Sequence, residues 1–172
     1  MEFEDVLRTR QSVRRFQKKE IPQETLIKIL ELANLAPSAG NLQAFRVVII
    51  KDKNIREGLS GAALGQSSVA EAPVNLVICA VPKESAVKYG DRGRELYSLQ
   101  DATIFTAYIQ LAATSLGLSS VWVGAFDEEE VADVLELKEN IKPVAIIPIG
   151  YPAEEPGKTR RKSLNEIIYK EL

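Results

Sequence analysis

The sequence predicts a single domain that combines α-helices with buried β-strands. Four short apolar runs, at residues 45–51, 74–81, 120–126 and 144–150, have the length and composition of strands. Segments between them carry apolar residues at helical spacing, and the longest runs over about residues 96–116. A chain of 172 residues has the size of one domain and buries about 70% of the surface that its unfolded form exposes.

The composition excludes several kinds of active site. The chain has no histidine, which rules out a serine-histidine-aspartate triad, a cysteine-histidine nucleophile and histidine-ligated zinc. The single cysteine, Cys79, lies in an apolar run and is expected to be a buried, unreactive thiol in a reducing compartment. The net charge of -2 argues against a nucleic-acid-binding surface. The acidic N-terminus and the lack of a long apolar stretch favour a cytoplasmic protein without a membrane anchor.

A short helix and a basic segment begin the chain. Apolar residues on one helical face predict a helix over Phe3–Thr9. In the extended residues that follow, Arg10, Ser12 and Arg14 project to the same side, because side chains alternate along an extended chain. Two guanidiniums on either side of a hydroxyl suit a phosphate group. The alternative interpretation is a solvated basic loop.

A second helix is expected to end before Pro37. The turn after it, residues 36–44, is rich in small and amide side chains. Its Asn41 and Gln43 offer donors and acceptors that suit the edge of a polar heterocycle, and Gly40 permits close backbone approach. In the alternative interpretation, these amides only satisfy the turn itself.

The middle of the chain carries less chemical information. Residues 54–72 are expected to form short helical turns, and the charged, glycine-containing residues 83–95 are expected to form a surface loop or lid. Within that loop Tyr89, Arg92 and Arg94 are possible substrate contacts, although a purely solvated loop is favoured.

The helix over residues 96–116 is apolar around most of its circumference. Such a helix must be buried on most sides, so it is expected to be central or to pack on a partner subunit. Asp101 interrupts the apolar surface and is expected to be a hydrogen-bonded residue at the helix start rather than an acid catalyst.

The run at residues 120–126 contains Gly124 and Ala125, and small residues let a flat ligand approach the backbone. Asp127 is expected to cap the next helix, so the glutamates at 128–130 are interpreted as first-turn residues and not as metal ligands. An irregular tail begins at residue 151 and carries a second basic cluster at residues 158–162. Read alone, this cluster is equally compatible with a solvated tail.

Together these motifs resemble the nitroreductase family of FMN-dependent oxidoreductases, and the resemblance covers nearly the whole chain. The motifs are, in chain order, Arg10-x-Ser12-x-Arg14-x-Phe16, Pro37-Ser38-x-x-Asn41-x-Gln43, Trp122-Val123-Gly124-Ala125-Phe126, Ile149-Gly150-Tyr151-Pro152 and the late basic cluster. The resemblance implies an α+β fold in which a central mixed sheet is flanked by helices. It also implies an intertwined homodimer with FMN at each subunit interface. The tail of about residues 151–172 would reach the partner subunit.

The resemblance also implies roles for individual residues. Arg10 and Ser12 would hold the FMN phosphate together with Arg160 and Arg161, and Arg14 would lie near the N1/O2 edge of the flavin. The second flavin-contacting segment, often supplied across the dimer, would comprise Pro37, Ser38, Asn41 and Gln43. Gly124 and Ala125 would approach the ring near N5.

The implied activity moves reducing equivalents from NAD(P)H through FMN to a nitroaromatic, a quinone or a similar acceptor by a ping-pong mechanism. No catalytic side chain is needed, because the cofactor carries the chemistry. Ala44 and Ala125 depart from the proline and glycine that are common in the family. The alternatives are a noncatalytic FMN-binding or redox-sensing module, a flavin-fragmenting or dehalogenating relative, and, outside the family, a domain that binds phosphorylated partners.

Overall fold

A four-stranded antiparallel sheet with helices on both faces organises the chain, so the predicted α+β fold is confirmed. The computed structural model describes residues 1–172. The helices are α1 (Phe3–Thr9), α2 (Gln23–Ala33), α3 (Lys53–Ala62), α4 (Ser67–Glu71), α5 (Pro82–Arg92), α6 (Ser98–Ser115), α7 (Glu128–Val134) and α8 (Leu164–Ile167). The strands are β1 (Phe45–Ile50), β2 (Val74–Ala80), β3 (Ser119–Ser120) and β4 (Lys142–Gly150). None of the helices combines the length and the apolar character that crossing a membrane requires.

The strands lie in the order β1-β2-β4-β3, and each neighbouring pair is antiparallel. In the centre of the sheet, Val77 of β2 pairs with Val48 on one side and with Ile146 on the other. Every residue of β2 is buried, which explains why all of them except Asn75 are apolar. Parallel pairing is limited to one isolated bridge, between Ser12 and Ser120.

Side chains that alternate along the strands feed two separate cores. On one face, Leu76 and Ile78 of β2 join the buried residues of α2 and α6, where Phe45 and Phe105 stack with ring centroids 4.3 Å apart. On the other face, the second core of the sheet takes in Leu59 of α3 together with buried residues of α4 and α7. The two-residue period of the strands therefore decides which helix layer each side chain contacts.

Cys79 lies in the second core and is fully buried, as its apolar surroundings predict. Desolvation raises the pKa of its thiol to about 12. The thiol is therefore protonated and unreactive in the folded chain.

The interpretation of residues 83–95 as a loop is wrong. Pro82 begins α5, as proline does at the first turn of many helices, and a π-helical turn over Gly93–Tyr97 connects α5 to α6. A Cβ on Gly93 would lie 2.5 Å from the carbonyl oxygen of Ser85, so this glycine permits close packing. Gly90, with φ 57°, breaks the helical geometry locally without ending the segment.

One further expectation needs correction. The run at residues 120–126 is a strand only at its start, and beyond Ser120 it contacts β4 through the Val121 amide, which donates to the Pro148 carbonyl at 3.3 Å, and through an isolated bridge between Val123 and Ile146. Asp101 lies in the first turn of α6 and is hydrogen-bonded, as expected, and it is also buried. The predicted cap of α7 is confirmed as well, since Oδ1 of Asp127 accepts hydrogen bonds from two first-turn amides at 3.0 Å.

Candidate functional site

The first candidate site is a polar cleft of about 510 Å³, here called the basic cleft. Its lining residues are Arg10, Gln11, Ser12, Arg14, Glu154, Glu155, Pro156, Gly157, Thr159 and Arg161. Val13 is buried and its amide donates to the Ser120 carbonyl at 3.1 Å. This bond attaches the segment to the sheet edge, so that the residues on either side of Val13 face the cleft.

The C-terminal tail forms the other wall of the basic cleft. The amide of Gln17 donates to the Tyr151 carbonyl and the amide of Ala153 donates to the Arg15 carbonyl, both at 2.9 Å. These bonds place the start of the tail alongside the basic segment. Farther along the tail, Arg161 lines the cleft. Its neighbour Arg160 does not line the cleft.

The electrostatics of the basic cleft favour an anion. Three guanidiniums and two carboxylates line it, which leaves one net positive charge. Oε1 of Glu154 accepts from the backbone amides of Arg14 and Arg15 at 2.7 and 3.2 Å, so this carboxylate serves the backbone. None of the three cleft arginines forms an ion pair within the chain. Their donors are therefore available to a phosphate or a similar group.

The second candidate site, here called the helix cleft, has a volume of about 580 Å³ and lies between residues 37–39 and the start of α6. Pro37 and Ser38 line it together with apolar side chains that include Leu99 and Ile104. Tyr97 of the π-helical turn completes the wall. The surface of this cleft is largely apolar, and Asp101 contributes the one carboxyl among its lining residues.

Residues 37–43, here called loop 37–43, have an unusual backbone. Gly40, Asn41 and Gln43 have φ values of 56°, 57° and 50°, in the left-handed region that residues other than glycine rarely adopt. The Ser38 hydroxyl oxygen accepts from the Gln43 amide at 3.1 Å. Oδ1 of Asp101 accepts from the Ala39 amide at 2.8 Å.

The amide side chains of loop 37–43 are bonded to each other. Nε2 of Gln43 donates to the backbone carbonyl of Asn41 at 3.1 Å and to its Oδ1 at 3.3 Å. Neither residue lines the helix cleft. Within one chain, these amides therefore match the alternative interpretation, in which they form hydrogen bonds within the turn.

The third candidate site, here called the glycine cleft, has a volume of about 450 Å³ and is lined by Gly124 and Phe126 on one side. Arg94 and Leu99 face them from the π-helical turn and from α6. A Cβ on Gly124 would lie 2.9 Å from Nε1 of Trp122, so a larger residue would displace that ring. Ala125 does not line the cleft, and its carbonyl accepts from Nε2 of Gln66 at 3.0 Å.

The structure places seven of the eleven predicted site residues in three separate clefts of one chain, and Asn41, Gln43, Ala125 and Arg160 line none of them. Leu99 borders both the helix cleft and the glycine cleft, but no residue of the basic cleft lines either of them. Sequence reasoning missed Glu154, Thr159 and the bond from Asp101 to Ala39. Glu154 lies 140 positions from Arg14, and no local pattern marks such a pair.

Comparison with known proteins identifies the family. A model of the Nitroreductase family matches residues 7–77 and residues 60–151. The NADH dehydrogenase of Thermus thermophilus is 31% identical over 186 residues, covering 92% of this chain and 91% of that protein. The FMN reductase [NAD(P)H] of Bacillus subtilis is 31% identical over 173 residues, covering 93% of this chain and 70% of that protein.

A solved structure shows the same fold over the full length. The hypothetical oxidoreductase YcnD from Bacillus subtilis superposes with a TM-score of 0.91 at 28% sequence identity, covering 100% of this chain and 75% of that one. The motifs, the family model and the fold all agree. The chain therefore belongs to the nitroreductase family of oxidoreductases, as its sequence motifs predict.

Proposed function

We propose that the protein is an FMN-dependent NAD(P)H oxidoreductase. The observation that carries the proposal is the basic cleft, where Arg10, Ser12, Arg14 and Arg161 converge with one net positive charge. A phosphate monoester needs several fixed cations and donors, and guanidiniums keep their charge at every physiological pH. The relatives named for reduction of FMN and oxidation of NADH support the same choice of cofactor and donor.

Residues of different clefts would bind different parts of FMN. Arg10, Ser12 and Arg161 would hold the phosphate. Arg14 would face the N1/O2 edge of the ring, where its fixed charge stabilises negative charge on the reduced cofactor. The largely apolar helix cleft would receive the ring of a flavin held by the other subunit, through Pro37 and Ser38. Asn41 and Gln43 would contact the ring after their side-chain amides rotate away from each other, while the loop backbone keeps its conformation. Gly124 and Ala125 would supply the backbone that approaches N5.

A homodimer would bring these parts together. Helix α6 exposes a third or more of Ile104 and Tyr108, one turn apart on the same face, although the helix is otherwise mostly buried. The tail helix α8 exposes Leu164 and Ile167, and nothing in the chain covers them. Exposed apolar surface of this kind is typical of interfaces. We propose that α6 packs on its copy and that the tail of residues 151–172 reaches the partner.

Bound FMN would supply the hydride and electron chemistry. The donor would be a reduced nicotinamide and the acceptor a nitroaromatic, a quinone or a similar small molecule. Donor and acceptor would bind in turn to the same pocket, in a ping-pong mechanism. The chain itself would orient the ring, hold its phosphate and set the charge at its edge. No side-chain nucleophile, metal or nucleic acid enters this function. We also propose a cytoplasmic location, consistent with the single, buried and unpaired cysteine.

The first experiment is the visible spectrum of the purified protein during titration with FMN, followed by anaerobic addition of NADH or NADPH. We expect FMN to bind, its absorbance to bleach with at least one nucleotide, and the colour to return with a quinone or a nitroaromatic. Arg10→Ala should lose FMN, whereas the matched control Arg8→Ala should retain it, because Arg8 pairs with Glu4 outside the basic cleft.

The other outcomes separate the alternatives. Absence of FMN binding would refute the proposal. Bound FMN that neither nucleotide bleaches would indicate a noncatalytic redox-sensing module, and loss of the flavin itself during turnover would indicate a flavin-fragmenting enzyme.

A further inference from the structure

Loop 37–43 adopts a backbone conformation that is unfavourable at Gln43. Gly40 and Asn41 are residue types that enter the left-handed region comparatively readily, whereas Gln43, with φ 50°, is not. A residue like Gln43 stays in this region only when its surroundings hold it there. The contacts that hold the loop are therefore of functional interest.

Within the loop, the Gln43 backbone amide donates to the Ser38 hydroxyl oxygen, and Nε2 of Gln43 donates to Asn41. From outside, Tyr89 and Lys88 of α5 approach Gly40 so closely that a Cβ there would lie 2.5 Å from the tyrosine oxygen. The one side-chain hydrogen bond from another element to the loop backbone comes from Asp101 of α6, whose Oδ1 accepts from the Ala39 amide at 2.8 Å.

Asp101 is an unexpected residue for its place in the fold. Only 2% of its surface is exposed, it forms no ion pair, and its Oδ2 has no hydrogen-bond partner. Burying a carboxyl with one oxygen unsatisfied is unfavourable, and desolvation accordingly raises its pKa. Asp101 also borders the helix cleft, and the one hydrogen bond that its carboxyl forms goes to the Ala39 amide.

We propose that Asp101 is a positioning residue that holds the Ala39 amide and so keeps loop 37–43 in the conformation that receives the cofactor. Although Asp101 borders the helix cleft, its Oδ1 is bonded to the loop, and we assign its role to holding the loop. Its essential property is the Oδ1 acceptor and not its charge. The consequence for cofactor binding rests on the proposed function, whereas the consequence for the loop does not.

The test compares Asp101→Ala, which removes the acceptor, with Asp101→Asn, which keeps an oxygen for Ala39. Thr106→Val is the matched control, because Thr106 is buried on the same helix and bonds only within it, to the Ala102 carbonyl at 2.7 Å. Two quantities are measured for each variant: hydrogen exchange of the Ala39 amide without FMN, and the FMN dissociation constant. Thermal melting reports the general stability of each variant.

In Asp101→Ala we expect Ala39 to exchange at least tenfold faster and FMN to bind at least tenfold more weakly than in the unmodified protein. In Asp101→Asn both quantities should stay within threefold of it, and Thr106→Val should lower the melting temperature without changing either quantity. If Asp101→Ala does not fold, Asp101→Leu replaces it, because an apolar side chain suits the buried position.

An Ala39 exchange rate that is unchanged in the acceptor-free variant would overturn the proposal. Equal loss of FMN in Asp101→Asn and Asp101→Ala would overturn it too, because it would assign the effect to charge. If the unmodified protein binds no FMN, the proposed function fails, and the exchange measurements still decide whether Asp101 holds the loop.

Discussion

Two neighbouring arginines of the tail offer a sharp test of the basic cleft. Arg161 lines the cleft and Arg160 does not, although both are exposed and belong to the same basic cluster. We expect Arg161→Ala to weaken FMN binding and Arg160→Ala to leave it nearly unchanged. The two variants carry the same loss of charge, so the comparison isolates the position of the guanidinium.

The magnitude follows from the environment of Arg161. A hydrogen bond to a charged group contributes about 1.5–3 kcal/mol. Because Arg161 is exposed and water screens its charge, the lower end applies, and about 1.5 kcal/mol corresponds to roughly a tenfold increase in the dissociation constant. Its removal also cancels the single net positive charge of the cleft. For Arg160→Ala we expect a change of less than about twofold.

The assay is titration of FMN fluorescence, which bound protein is expected to quench, at about 50 mM and about 500 mM salt. The difference between the two variants should shrink at high salt, since it is electrostatic. Equal weakening by both substitutions would show that the tail attracts FMN only through its overall charge, and the reasoning from the cleft geometry would then be refuted.

Three further predictions concern other parts of the chain. Arg14→Ala should slow anaerobic flavin reduction by about tenfold or more and should change FMN affinity much less, because the charge of Arg14 acts on the ring edge. If Arg10→Ala also slowed reduction much more than it weakened FMN binding, this division of roles would be contradicted. Cys79 should not react with a thiol reagent at pH 8 in the folded protein, because its pKa is raised to about 12, and one thiol per chain should appear after unfolding in urea. Asp127→Ala should lower the free energy of unfolding by about 1 kcal/mol, measured by urea denaturation, because α7 loses its N-cap; Glu128→Ala, which leaves the cap intact, should change it by less.

Local patterns determined most of the secondary structure. The helix over Phe3–Thr9, the cap at Asp127 and the strands β1, β2 and β4 were predictable because each depends on spacing or side-chain type within a few residues. The interpretation of residues 83–95 failed because Gly90 and Gly93 are typical of loops, whereas Gly93 actually allows two backbone segments to touch. A glycine's role depends on what lies next to it in space.

For the candidate site, the sequence by itself determined the residue types, and the tertiary structure decided which of them meet. The alternation of Arg10, Ser12 and Arg14 about buried Val13 is a local property, so it was predictable. Which of the two adjacent tail arginines lines the cleft depends on the path of the tail through space, which the tertiary structure decides. The bond from Asp101 to the Ala39 amide spans 62 positions and exists only because the sheet places α6 beside loop 37–43. Such long-range pairs depend on topology, which residue spacing along the chain does not encode.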